Sequence, residues 1–315
     1  MASSGSGAGA TPPFWVRVAP FFLSAALFAS GFLALIAPLP LLVLGALTRR
    51  LWTVVALLVN ALVVYALAGW ASAGLFLGIV GTISLVLPEL LRLRWGPTRV
   101  AAVTASAWVG IAFAALQWVA WNSGVSLWDR LEAFFSQGLT AMVDSLGPEG
   151  TRSWLGLSPD VDLSEVRSLL LREVPAALAI VGLAFIALNL TLLMRLNPGR
   201  IRERSGWSSD VFRSWKAPEW LVWPTLAAGA MSLFGPEAGS AWAFTVGAKN
   251  VFKVLMAIYG IQGLSVLGFA FTAWRVRPLF RSLGYAFALF FFLPLLLALG
   301  FFDLWFDFRA KLRQS

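Results

Sequence analysis

Seven stretches of the chain carry no Asp, Glu, Lys or Arg: Val18–Thr48, Leu51–Pro88, Val100–Trp128, Val174–Met194, Trp220–Pro236, Val254–Trp274 and Ser282–Phe302. About 20 apolar residues take a helix across the hydrocarbon core of a bilayer. With no water there, the helix must satisfy its own backbone hydrogen bonds. The first two runs are long enough for more than one pass. The pattern therefore predicts an all-α polytopic integral membrane protein of about eight transmembrane helices, within a range of roughly seven to nine. Residues 18–36, 51–70, 75–91, 100–121, 174–194, 220–234 and 283–302 form predicted spans, together with a long helix over 241–274. Pro38 and Pro40 interrupt the first run, so Leu41–Thr48 is a half-helix or the end of a long kinked span. A small-residue turn at Ala71–Gly74 divides the second run.

The connections alternate in charge. Residues 92–99, 195–216 and 275–281 are net +3, +4 and +3, whereas 122–173 is net −4. Lys and Arg beside spans mark the cytoplasmic side, which places the acidic loop outside. Carried to the end, the alternation places the C-terminus outside as well, against the contrary signal of Arg309, Lys311 and Arg313. The expected organisation is a disordered Ala/Gly/Ser/Pro tail at 1–14 followed by one transmembrane domain over 15–312. That domain carries an external acidic loop at 122–173 and a cytoplasmic basic loop at 195–219. In the external loop, Leu127, Leu131, Phe134, Phe135, Leu139 and Met142 recur at helical spacing. They predict an amphipathic helix over Ser126–Ser145, with Ser126 at its N-cap and Asp129 completing the start. A second helix begins near Asp162 or Ser164. The two lie on the membrane surface or form a lid over an external pocket. Trp70, Trp95, Trp118, Trp121, Trp220, Trp223, Trp274 and Trp305 fall near predicted span ends, as interface anchors do.

Composition narrows the classes further. The chain is 59% hydrophobic, with mean hydropathy +0.80 and net charge +9. The positive charge sits in short loops and reads as insertion topology and contact with anionic lipid, so no nucleic-acid partner is expected. Cysteine and histidine are absent, which excludes disulfides, thiolate and imidazole metal sites and a Ser-His-Asp triad. No metal, cofactor or catalytic residue is assigned. The Arg-, Ala- and Trp-rich composition points to a bacterial cytoplasmic (inner) membrane.

The polar residues inside the apolar runs are the candidates for function. Lys249 and Lys253 are four apart and share a helix face, as do Asp303 and Asp307. Lys253 and Asp303 each lie 25 residues from Pro278. The count predicts a Lys253–Asp303 ion pair between antiparallel helices, with Lys249 and Asp307 one turn further out. Three readings stand: an interhelical ion pair, a ligand site, or lysines that snorkel without partners. The ligand would be a small anion or zwitterion bound by Lys249, Asn250, Lys253, Gln262 and Asp303. Asn60, Gln117, Asn189, Asn250 and Gln262 are read as interhelical hydrogen-bonding residues. Gln262-Gly263 is read as a bend in the long helix or a place where its backbone meets a ligand. Gly74, Gly78 and Gly81 permit close helix approach.

Several short motifs carry a resemblance. They are Lys216-Ala-Pro-Glu-Trp-Leu-Val-Trp223, Lys249-Asn250, Gln262-Gly-Leu-Ser-Val-Leu-Gly-Phe269, Gly300-Phe-Phe-Asp303 and Asp307-Phe-Arg309. In these the chain resembles the YybS-like family of uncharacterised bacterial multi-span proteins. That family is in turn distantly similar to the S-components of energy-coupling-factor transporters, a similarity also carried by the Ala37-Pro-Leu-Pro40 break. The resemblance implies an S-component-like helical bundle. It also implies a partner-docking face at Ala25, Ala29 and Ser30, and partners that include other membrane subunits, a cytoplasmic ATPase and an unknown small ligand.

Three functions follow. The first is a small-molecule-binding membrane subunit of a transport system. The second is a non-transporting scaffold or assembly protein. The third is a lipid-modifying enzyme, for which Asp303 and Asp307 are the clustered carboxylates.

Overall fold

A computed structural model describes residues 18–158, 160, 162–196, 198–208, 210–236 and 242–314. The predicted N-terminal tail and Glu237 lie outside these. All regular structure among the described residues is helical. In chain order the helices are α1 (Pro20–Ala29), α2 (Leu39–Leu47), α3 (Arg50–Phe76), α4 (Thr82–Arg92), α5 (Pro97–Asn122), α6 (Leu127–Trp154) and α7 (Leu163–Leu196). They continue with α8 (Pro198–Ser205), α9 (Val222–Phe234), α10 (Trp242–Ala273), α11 (Pro278–Phe291), α12 (Leu293–Phe306) and α13 (Phe308–Gln314). Large apolar side chains such as Phe234, Phe290 and Leu233 stand exposed, the surface expected of a protein solvated by lipid. Trp70, Trp118, Trp121, Trp220, Trp223, Trp274 and Trp305 are exposed as well.

Among the described residues, four helical runs are long and apolar enough to cross a membrane: Arg50–Arg92, Pro97–Asn122, Glu165–Leu196 and Trp242–Ala273. The bent pair α11–α12 makes a fifth if it is taken as one span. Counted as runs, these do not confirm the expected eight or so spans, for local reasons. The first run does not hold one helix over 18–36. It turns at Gly31 (φ 69°) and folds back, with Ser24 Oγ donating to the Ala37 carbonyl at 2.6 Å. Residues 39–47 form a separate half-helix. Helix α9 has 13 residues, about 20 Å at 1.5 Å per residue, short of the ~30 Å core. The last run breaks at Phe292, where α11 and α12 meet at 101°. Pro294 explains the break, since it lacks an N–H and clashes with the preceding turn.

The run Arg50–Arg92 is a hairpin. At Gly69 the backbone takes φ 78° and ψ 178°, a conformation open to glycine. The two arms come together, with Arg50 Nε 3.8 Å from Glu89 Oε1. A Cβ on Gly81 would meet Leu57 Cδ2 at 3.3 Å. The turn sits two residues before the expected Ala71–Gly74.

The chain divides into two compact units: Met1–Ala115 with Phe185–Ser209, and Leu116–Ala184 with Asp210–Ser315. In the first, Ala25, Leu41, Leu44, Leu57, Phe76 and Val80 form a buried core. Asn60 stitches α1 to α3, accepting from the Ala25 N–H (2.7 Å) and donating to the Pro20 and Ala56 carbonyls (2.8 and 2.7 Å). Asn189 donates to the Leu35 and Phe185 carbonyls at 2.9 and 2.8 Å. In the second unit, Ser126 Oγ accepts from the Asp129 N–H at 3.1 Å and starts α6. That helix turns at Gly147 (φ 72°) before Pro148. Its Glu132 pairs with Arg167 of α7 at 3.2 Å.

Candidate functional site

Two polar clusters form in the second unit, both on α10. The outer one begins with Pro175 inside α7. A proline disturbs the hydrogen-bond ladder of the turn before it, and the Arg172 carbonyl and Ala176 N–H are an i, i+4 pair of that ladder. Asn250 takes both: its Oδ1 accepts from Ala176 N–H at 2.9 Å and its Nδ2 donates to the Arg172 carbonyl at 3.0 Å. Beside this repair, Lys253 Nζ donates to Glu173 Oε2, and both side chains are nearly half exposed (42% and 49%). The Arg172 guanidinium lies 4.4 Å from the centre of the Trp242 ring. Lys249 is exposed one turn toward the N-terminal end of α10.

The inner cluster is built where α10 and α12 touch through glycine. A Cβ on Gly300 would run into the Tyr259 carbonyl oxygen, and one on Gly263 into the Leu296 carbonyl oxygen. Only hydrogen side chains permit this approach. The contact brings Asp303, at the end of α12, to Gln262 in the middle of the charge-free run of α10. Asp303 accepts from Gln262 Nε2 at 3.0 Å, from the Phe308 N–H at 3.1 Å and from Arg309 Nη2 at 3.2 Å. The pair is buried, with 4% of the Arg309 side chain and 0% of the Asp303 side chain exposed. Between them, Asp307 adopts a left-handed turn (φ 38°) that ends α12 and starts α13.

The irregular segment 212–217 closes over this pair. Arg309 Nη2 donates to the Trp215 carbonyl at 2.9 Å, and Ala217 N–H donates to Gln262 Oε1 at 3.0 Å. Ser265 Oγ donates to the Phe212 carbonyl at 2.5 Å. At the exposed edge Lys216 pairs with Asp307 at 3.1 Å. The hydrogen bond from Lys216 holds the Asp307 carboxyl below its ordinary range. Non-helical backbone beside an apolar helix needs such partners, because no lipid supplies them. Ala217, Leu221, Leu255 and Tyr259 pack as the apolar floor.

The expected Lys253–Asp303 pair is corrected by these contacts: Lys253 holds Glu173, and Asp303 holds Arg309. Counting residues back from Pro278 assumed two straight helices. The 101° bend at Phe292 removes that equality of depth. The second expected pair changes too, since Asp307 holds Lys216 while Lys249 has no ion-pair partner among the described residues. The side of the C-terminus stood between two opposed charge signals. Asp307 bonds to Lys216 and Arg309 to the Trp215 carbonyl, so these residues pack against 212–216. Gln262-Gly263 does not interrupt α10, which is helical from Trp242 to Ala273. Among the docking candidates, Ala25 is fully buried under Asn60, while Ala29 and Ser30 are exposed.

Three residues that shape these clusters escaped the sequence reading, and each left a signal. Glu173 is the last charge before the run 174–194, as Lys253 is before 254–274, so both mark one edge of the apolar zone. Arg309 reads in the sequence as a charge beside the last span and as the end of the Asp307-Phe-Arg309 motif. Pro294 sits in the open within the last charge-free run. A furrow of about 460 Å³ lies along α11, lined by Leu283, Gly284, Ala286, Phe287, Phe290 and Phe291. It is open and apolar, and none of the five expected ligand residues lines it.

A family profile described as a predicted membrane protein (DUF2232) matches residues 19–304. No curated protein and no solved structure matches the chain.

Proposed function

This chain belongs to the DUF2232 family of predicted membrane proteins, and we propose that it is a multi-pass scaffold of the bacterial inner membrane that acts by holding partner proteins. The observation that carries this reading is the use made of Asp303 and Arg309. Ionisable groups beside the middle of an apolar helix normally mark a ligand path or a structural pair. Here both charges are buried and matched to each other, and their remaining bonds fasten 212–217 and α13. Charges committed in this way serve architecture, and the loops are left as working surfaces. A lipid-modifying enzyme would draw on Asp303 and Asp307, and both already hold cations.

A second reading is a small-molecule-binding transport subunit with the YybS-like and S-component-like character implied by the motifs. It is favoured by the broken pair α11–α12, since discontinuous helices build substrate sites in many transporters. Its partner-docking face would draw on Ala29 and Ser30. Affinity purification of the full chain from its native host in mild detergent, with mass spectrometry, separates the two. Stoichiometric recovery of cell-envelope machinery without ATPases supports the scaffold. Recovery of an ATPase pair with a coupling membrane protein overturns it.

A further inference from the structure

The outer cluster on α10 has more positive charge than its architecture uses. Lys253 holds the Glu173 carboxylate, while Arg172 and Lys249 have no ion-pair partner among the described residues. At 100° per residue, Trp242, Lys249 and Lys253 fall within about 40° of one another around α10. This is the face that meets α7, because Asn250 and Lys253 bond to residues 172, 173 and 176 there. Helical side chains lean toward the N-terminus of their helix. Lys249 therefore reaches toward the turn of Trp242, where the Arg172 guanidinium is stacked on the ring. Arg172 and Lys249, the two cations not needed by Glu173, are thus on neighbouring helices at the level of the Asn250 bridge.

That level is a membrane interface. Helix α10 has 32 residues, about 48 Å, against a hydrocarbon core of ~30 Å. Its charge-free part begins at Val254, and that of α7 at Val174. The Lys253–Glu173 pair joins the two helices at this shared edge. Arg172 and Lys249 lie on its polar side, two and five residues beyond the edge, about 3 and 8 Å, within the headgroup layer, and Trp242 stands further out on α10.

We propose that Arg172 and Lys249, braced by Trp242 and the Asn250 bridge, form a binding site for a phosphate ester, and that a phospholipid headgroup fills it. Arg172 offers a planar fork for the phosphate oxygens and Lys249 a mobile point charge. This site does not depend on whether the protein is a scaffold or a transport subunit.

The test uses the purified full chain in nanodiscs of phosphatidylcholine doped with phosphatidylglycerol. Lipid retained through detergent exchange is counted by native mass spectrometry. One surface Lys or Arg contributes about fivefold to such binding. Lys249→Gln and Arg172→Gln should each lower retained phosphatidylglycerol by about that factor relative to the wild type. Loss of binding confined to the lipid, with millimolar inorganic phosphate unable to compete, identifies the headgroup as the source. Competition by inorganic phosphate, abolished in Lys249→Gln, keeps the phosphate site and assigns it a free phosphate ester. Equal retention in the wild type, Lys249→Gln and Arg172→Gln, with unchanged melting temperatures, overturns the proposal.

Discussion

Two ion pairs lie against α10, one through Lys253 and one through Gln262, and they follow opposite rules. Lys253–Glu173 is nearly half exposed and lies where two apolar runs end. Arg309–Asp303 is buried beside Gln262, in the middle of one of those runs. An exposed pair gains little, because water and salt screen it. A buried pair is costly to form and far more costly to break, because the remaining partner keeps an uncompensated charge. The first pair marks a boundary, whereas the second is a fastening for the 212–217 segment and the C-terminal helix.

The largest effect is expected from Arg309→Ala, which leaves Asp303 buried and unmatched. It should cost about 3–5 kcal/mol, read as a lower melting temperature in detergent and faster proteolysis near 212–217. Arg309→Met combined with Asp303→Leu should recover most of that loss. If the double variant melts as low as Arg309→Ala, the burial argument fails. Gly300→Ala forces a methyl group into the Tyr259 carbonyl and should cost about 1–3 kcal/mol, seen in the same melting assay. Asn250→Ala leaves the Arg172 carbonyl and Ala176 N–H without their bridge, at about 1–3 kcal/mol. Hydrogen exchange at Ala176 should rise in that variant before the rest of α7 responds.

Lys253→Ala belongs at the small end, within about 1 kcal/mol, and should matter less as salt is raised. A loss as large as that of Arg309→Ala would erase the distinction between the two pairs. The smallest effect is that of pH on Lys216–Asp307. The folded pKa of Asp307 is lowered, so its contribution is complete above the unfolded carboxylate value of about 3.9. It fades as pH falls through the lower folded value. Melting followed from pH 6 downward should lose this increment only below about pH 4, and Asp307→Asn should not show that step.

The helical class, the amphipathic α6 with its Ser126 cap and the hairpin over 50–92 were legible because each is written locally. Charge-free length, helical periodicity and a capping serine need no distant partner. The site was legible as a set of residues and not as a set of pairs. Asn60, Asn189, Asn250 and Gln262 each reach another segment, as a polar side chain in an apolar run must. Which backbone each would meet depended on breaks at Gly31, Pro175 and Phe292. Helical continuity had been assumed across the first and the last of these.

The sequence by itself determined that this chain lives in a membrane as helices, where its apolar zones begin and end, and which polar residues need partners. Those follow from the cost of exposing a charge or an unbonded peptide to hydrocarbon, which is paid residue by residue. Only the tertiary structure decided that Asp303 meets Arg309, that Lys253 meets Glu173, and that the C-terminal segment packs against 212–216. A single bend of 101° at Phe292 resets the register of everything after it. Register between helices is a property of the packed molecule, because it depends on the glycine contacts that set where two helices touch.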